Sequence, residues 1–277
     1  MDLIWSSLLE LTGGFIVSQL AMGAILGFLI GMTGIGAGVL IMPALLFVSH
    51  TDPAMAVGTS LLFSVLSKGY GVFEHWKLGS IDVETNLAFS IGAVPMVLLS
   101  SIGVNILKAS MPPDTFDFYM KAALAVMVFL ICIYLFWDAF KKNQSDLYKC
   151  GDPLTAKQKT TGALFGGGIG ALVGGTSIGG GVFIIPILAG VFKLSAKCVV
   201  GTSTIISVML TLVGAGVYLY YGNVNLAIAL LLVVGSLPGI KLGVAMAHKL
   251  PNLVLKRVMA GLAFISFVSM VTGIKSH

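Results

Sequence analysis

Thr33, Gly34, Gly36 and Gly38 stand in a run, residues 31–43, that returns as residues 174–186. There Thr176, Ser177, Gly179 and Gly181 fill the matching positions, with Gly180 opposite Ala37, at a constant offset (176 − 33 = 143). Hydroxyls set among glycines suit one chemistry in particular, the binding of an oxyanion by O–H donors and backbone N–H groups. Glycine destabilises a helix interior by about 1 kcal/mol against alanine, so each cluster predicts an unwound stretch. The next helix then begins with free N–H groups and a positive dipole end aimed at a ligand. Inside a bilayer such a break is tolerated only where it is buried in protein or lines a wet cavity. The plainer alternative is that the glycines let helices pack closely. Two copies, each ending in a proline (Pro43 and Pro186), favour the site.

The same offset carries Gly58-Thr59-Ser60 onto Gly201-Thr202-Ser203, Ser64 onto Ser207, Gly92 onto Gly235 and Pro95 onto Pro238. Thr59, Ser60, Thr202 and Ser203 would supply a second set of hydroxyls to a central cavity; the alternative is that they cap or bond their own helices. Lys68 lies within an apolar run and is a candidate cavity cation, and Glu74, two turns further along, allows an ion pair without implying one. Lys241 and Arg257, the sole arginine, fall near segment ends and read as anchors reaching the headgroups. Trp76, Trp137, Tyr218, Tyr220 and Tyr221 also fall at segment ends and predict an aromatic belt.

What positions these residues must be a stack of membrane helices. Hydrophobic residues make up 57% of the chain and charged ones 10%, far below the quarter or so usual in soluble domains. After Asp152 the chain has no Asp or Glu at all, which excludes a carboxylate cation site or acidic proton relay from the second half. The net charge of +5 collects largely in Lys141, Lys142, Lys149, Lys157 and Lys159, as in a loop beside an anionic leaflet, and does not point to nucleic acid. Asp2 and Glu10, with no Lys or Arg, precede the first apolar run, which therefore lacks the basic start of a signal peptide. Cys132, Cys150 and Cys198 have no paired spacing and read as incidental, with neither a disulfide framework nor a metal site.

Apolar segments are expected at about 13–31, 38–48, 54–73, 83–103 and 116–140, and again at 160–173, 181–192, 196–221, 226–247 and 253–272. The second of each set is short and carries a proline, so it either crosses as a broken helix or turns back. With the linker cytoplasmic, crossing puts Lys77, Lys193, Lys197, Lys249, Lys256 and Arg257 inside, as the positive-inside rule asks. Five crossings per half then make the repeats inverted. The expected organisation is all-α: a first membrane repeat at 1–141, a cytoplasmic linker at 142–159 and a second repeat at 160–277, with both termini outside.

On the paired Gly-rich segments ending in Pro43 and Pro186, the paired Gly-Thr-Ser motifs at Gly58 and Gly201, and the Gly-x-x-Pro at Gly92 and Gly235, the chain resembles the TauE/SafE family of sulfite and organosulfonate exporters. The resemblance implies a multi-pass inner-membrane carrier that moves sulfite, sulfoacetate or related organosulfonates by alternating access. Its site maps onto the Gly, Thr and Ser positions named above. The first copy departs from the second at Met32, Gly34 and Ala37, where Gly175, Ser177 and Gly180 stand. No cofactor or metal is expected. The expected partners are a small anion and the lipid bilayer, and a homodimer stays open. An anion channel is the main alternative. A membrane-embedded enzyme is disfavoured because neither Gly motif offers an acid, base or nucleophile pair.

Overall fold

A computed structural model describes residues 13–33, 38–47, 49, 51–139, 150–178, 181–247, and positions 261, 264 and 268. It is helical throughout these elements: α1 (Gly13–Thr33), α2 (Gly38–Phe47), α3 (Pro53–Lys77), α4 (Val83–Ser110), α5 (Pro113–Ala139), α6 (Ala156–Thr176), α7 (Ile184–Gly190), α8 (Ala196–Tyr220) and α9 (Leu226–Ala247). The expected segments reappear, most of them longer. Polar turns beyond the apolar runs continue α3 to Lys77 and α4 to Ser110. The segment expected at 253–272 lies outside the described residues apart from helical Gly261, Phe264 and Val268.

Local chemistry fixes the ends. The Asp82 side chain accepts from Thr85 N and starts α4, and a capping box of Thr155 and Gln158 starts α6. Five of the described helices are long and apolar enough to cross a bilayer. Their outer faces expose side chains such as Ile91 (71%) and Leu164 (74%), a surface that needs lipid around it. The chain is a multi-pass membrane protein.

The two halves interlock. The first helix of each packs against the fourth of the other, α1 on α9 and α6 on α4. Gly23 and Gly27 seat against the backbone of Leu232 and Ser236, and their counterparts Gly166 and Gly170 against Phe89 and Ala93. From the other side Gly235 meets Leu20, as Gly92 meets Ala163. Each of these contacts has its twin at the offset of 143, so one relation generates both interfaces. Small residues let the backbones touch, which is how helices associate where lipid removes the hydrophobic drive.

The contact order along each pair gives the helix directions. Leu20 and Ala24 meet Gly235 and Gly239 in turn, so α1 and α9 are parallel; the sequence Phe89–Gly166, Ala93–Gly170 makes α4 and α6 parallel. Thr202, Met209 and Gly214 of α8 meet Asp82, Asn86 and Val97 in order, so α8 follows α4. Helices α3 and α8 oppose each other, with Gly58 beside Tyr218, Leu61 beside Gly214 and Lys68 bonded to Ser207. A tight turn at Gly222 (φ +72°) sends α9 back along α8. Helices α1, α3 and α9 therefore run one way and α4, α6 and α8 the other.

Candidate functional site

The Gly-Thr-Ser pairs sit where the halves join. Thr59 Oγ1 accepts from Asn225 N at 3.0 Å, and Thr202 Oγ1 accepts from Asp82 N at 2.9 Å. Those two amides belong to the residues that start α9 and α4. The preceding glycines leave room: a Cβ on Gly58 would strike Asn223 O, and one on Gly201 would strike Ser80 O. Ser60 Oγ donates to Val57 O at 2.8 Å and Ser203 Oγ to Val200 O at 3.0 Å. All four hydroxyls are buried and already have protein partners. Each motif anchors the N-terminus of a helix from the opposite half, a role the sequence did not suggest because the partners lie 166 and 120 positions away.

At the end of α6, Thr176 Oγ1 donates to Leu172 O at 2.7 Å and accepts from Ile178 N at 3.2 Å, which closes the helix. Ser177 follows in the left-handed conformation, φ 59°, where glycine is at home and serine is strained. It is 4% exposed, and among the described residues its hydroxyl has no hydrogen-bond partner. A buried O–H without a partner costs about 1–3 kcal/mol. Two bonds pin the segment in place: Ser101 Oγ and Tyr218 Oη both donate to Gly174 O, each at 3.1 Å. Gly181 O accepts from Ile185 N at 3.4 Å as α7 begins. Thr33 ends α1 and Gly38 begins α2. Gly34, Gly36, Gly179 and Gly180 lie outside the described residues.

Lys68 comes from the middle of α3 and reaches Ser207 Oγ in the middle of α8, at 2.6 Å. Ser207, Thr211 and Ser64 are buried around the crossing of these helices. The Glu74 side chain lies outside the described residues. The structure thus brings Lys68 to a hydroxyl of the other half, while Ser177 stands level with Gly174 and Tyr218, toward the end of α8.

Two sequence expectations are overturned. Tyr218 is fully buried, its O–H on Gly174, and forms no part of an aromatic belt; Tyr220 (86% exposed) does lie outside. Cys150 and Cys198 are joined in a disulfide, Cα–Cα 5.7 Å, so they are not incidental. Spacing could not reveal the pair, because 48 residues and the whole of α6 and α7 separate them.

A family model described as "Sulfite exporter TauE/SafE" matches residues 19–270. The probable membrane transporter protein YjnA of Bacillus subtilis (strain 168) is 29% identical over 259 residues, covering 92% of this chain and 99% of its own length. The probable membrane transporter protein YunE of the same strain is 27% identical, covering 88% and 92%. In Methanocaldococcus jannaschii the probable membrane transporter protein MJ0441 is 28% identical, covering 82% and 85%. No solved structure matches the chain.

Proposed function

This chain belongs to the sulfite exporter TauE/SafE family of membrane transporters, and we propose that it is an inner-membrane secondary carrier that exports small sulfur oxyanions, sulfite or an organosulfonate, by alternating access. In this reading it is a carrier and not an enzyme, and its halves are inverted repeats with the 142–159 linker in the cytoplasm. Support for the inversion comes from helix direction, since α1 opposes its counterpart α6.

The observation that carries the anion reading is Ser177. A strained residue with a buried, unpartnered hydroxyl stands at the break between α6 and α7, in a half without a single carboxylate beyond Asp152. Position 34, its counterpart, holds the glycine that such a conformation favours, so a serine here is explained by the use of its O–H. The Lys68 ammonium supplies positive charge on the transport path, and the glycines on either side allow the backbone to approach the cargo.

The test is thermal stabilisation of the purified protein by sulfite, sulfonates, sulfate and carboxylates. Sulfite or a sulfonate should raise the melting temperature of the native protein. Ser177→Gly should fold at least as well, because the strain is gone, yet lose most of that response. Equal responses from both proteins, or stabilisation by a cation alone, would refute the site.

A further inference from the structure

We propose that Cys150–Cys198 is a reversible thiol–disulfide site, opened by a cytoplasmic dithiol, that latches the inter-repeat linker onto the helix ends of one face. Cys150 lies midway along the linker and is half-buried; Cys198 is 3% exposed in the first turn of α8. One turn further along α8, Thr202 holds Asp82 N, and the Asp82 carboxylate in turn accepts from Gly151 N at 3.1 Å, the residue next to Cys150. Leu154 N donates to Glu84 at 2.9 Å, and Lys159 pairs with the same carboxylate at 2.6 Å. The cross-link therefore closes a ring made of the linker, the start of α4 and the start of α8.

The disulfide dominates this ring. The Lys159–Glu84 pair is half-exposed (52% and 37%) and screened by solvent, and the part-buried N–H bonds of Gly151 and Leu154 to the Asp82 and Glu84 carboxylates are local and can open one at a time. A disulfide constrains such a loop far more strongly. The opposite face is closed by different chemistry: Lys108 Nζ bonds Asp52 at 3.1 Å and Asn223 at 2.7 Å. The counterparts of Cys150 and Cys198 are Ser7 and Met55, so that face has no equivalent cross-link.

The proposal rests on the cytoplasmic linker inferred above, because in the cytoplasm a disulfide is a transient, exchanging bond. A thiolate of the dithiol attacks Cys150 Sγ, the more accessible sulfur. The S–S bond breaks and Cys198 leaves as a thiolate, stabilised by the amides at the start of α8 and by Ser195 Oγ, 3.1 Å away. The second thiol of the reagent, as a thiolate, then attacks the reagent sulfur of the mixed disulfide, and Cys150 leaves as a thiolate; the dithiol closes into its own disulfide and gives up the two electrons and two protons that Cys150 and Cys198 gain.

Intact cells expressing the full chain would be acid-quenched, denatured and alkylated, with and without prior treatment by a thiol oxidant. Untreated cells should yield three alkylated cysteines and oxidant-treated cells one, Cys132. On the purified protein, dithiothreitol should speed hydrogen exchange at the Gly151 and Leu154 amides about tenfold or more, and Cys198→Ser should match the reduced state. A pair that stays oxidised in untreated cells overturns the proposal, as does exchange indifferent to reduction. Labelling Leu78→Cys from either side of the membrane, in a background of Cys132→Ser, Cys150→Ser and Cys198→Ser, tells independently whether the cytoplasmic placement has failed instead.

Discussion

Lys68 Nζ donates to Ser207 Oγ at 2.6 Å, from the middle of one helix to the middle of an opposed helix in the other half. Among the described residues the ammonium meets a neutral hydroxyl and no carboxylate, which in the proposed reading leaves its charge available to an anion. This contact also crosses the surface along which two rocking halves would have to move.

Lys68→Met should abolish most of the thermal response to sulfite, an affinity loss of about tenfold or more, with little loss of intrinsic stability. Ser207→Ala should do the reverse, lowering stability by about 1–2 kcal/mol and leaving the response largely intact. Melting curves of both variants with and without sulfite decide it. A Lys68→Met protein that still responds fully would remove the lysine from the path.

Thr59→Val and Thr202→Val should each lower stability by about 1–3 kcal/mol, since each strands a backbone N–H, of Asn225 or of Asp82. The two losses should be similar and close to additive, because the sites occupy equivalent positions at opposite ends of the same interface. Denaturation midpoints of the single and double variants measure this. A negligible effect from either would mean that its hydroxyl is not holding the helix start.

Alanine at Gly92 or Gly235 should prevent a stable fold, as the new Cβ would strike the backbone of Ala163 or Leu20. Alanine at Gly168 or Gly216, where nothing lies within 4 Å, should be neutral or stabilising by up to about 1 kcal/mol. Yield of monodisperse protein after detergent extraction separates the two classes. Equal yields from all four would show that the close approach is not required.

Leu78→Cys and Tyr221→Cys, in the cysteine-free background, lie in equivalent turns and are both exposed. If the repeats are inverted, an impermeant maleimide should label Tyr221→Cys in intact cells and Leu78→Cys only after the membrane is opened. Labelling of both from the same side would end the inverted arrangement.

The helices themselves were readable because hydropathy and turn residues are local signals, and α4 and α9 begin where the apolar runs begin. The duplicated motifs were equally plain, yet their tasks were not. Thr202 and Ser177 are alike in the sequence, but one hydroxyl is tied to a helix start from the other half and the other has no partner among the described residues. Both outcomes depend on neighbours far along the chain. The Cys150–Cys198 pair was missed for the same reason, and Tyr218 because its position at a segment end concealed that its ring turns inward.

The swapped packing of α1 on α9 and α6 on α4 also sets a timetable for biogenesis. Gly13–Thr33 enters the bilayer long before its cover, because the helix that covers its glycines begins 193 residues after it ends (226 − 33). For most of translation, that small-residue face has no native neighbour and is open to mispairing with other newly inserted helices. Contacts so distant in sequence make assembly slow. Neither half made alone contains its own counter-surface, so a chain truncated after the linker should be recognised by membrane quality control and degraded, whereas two separately expressed halves should rescue each other.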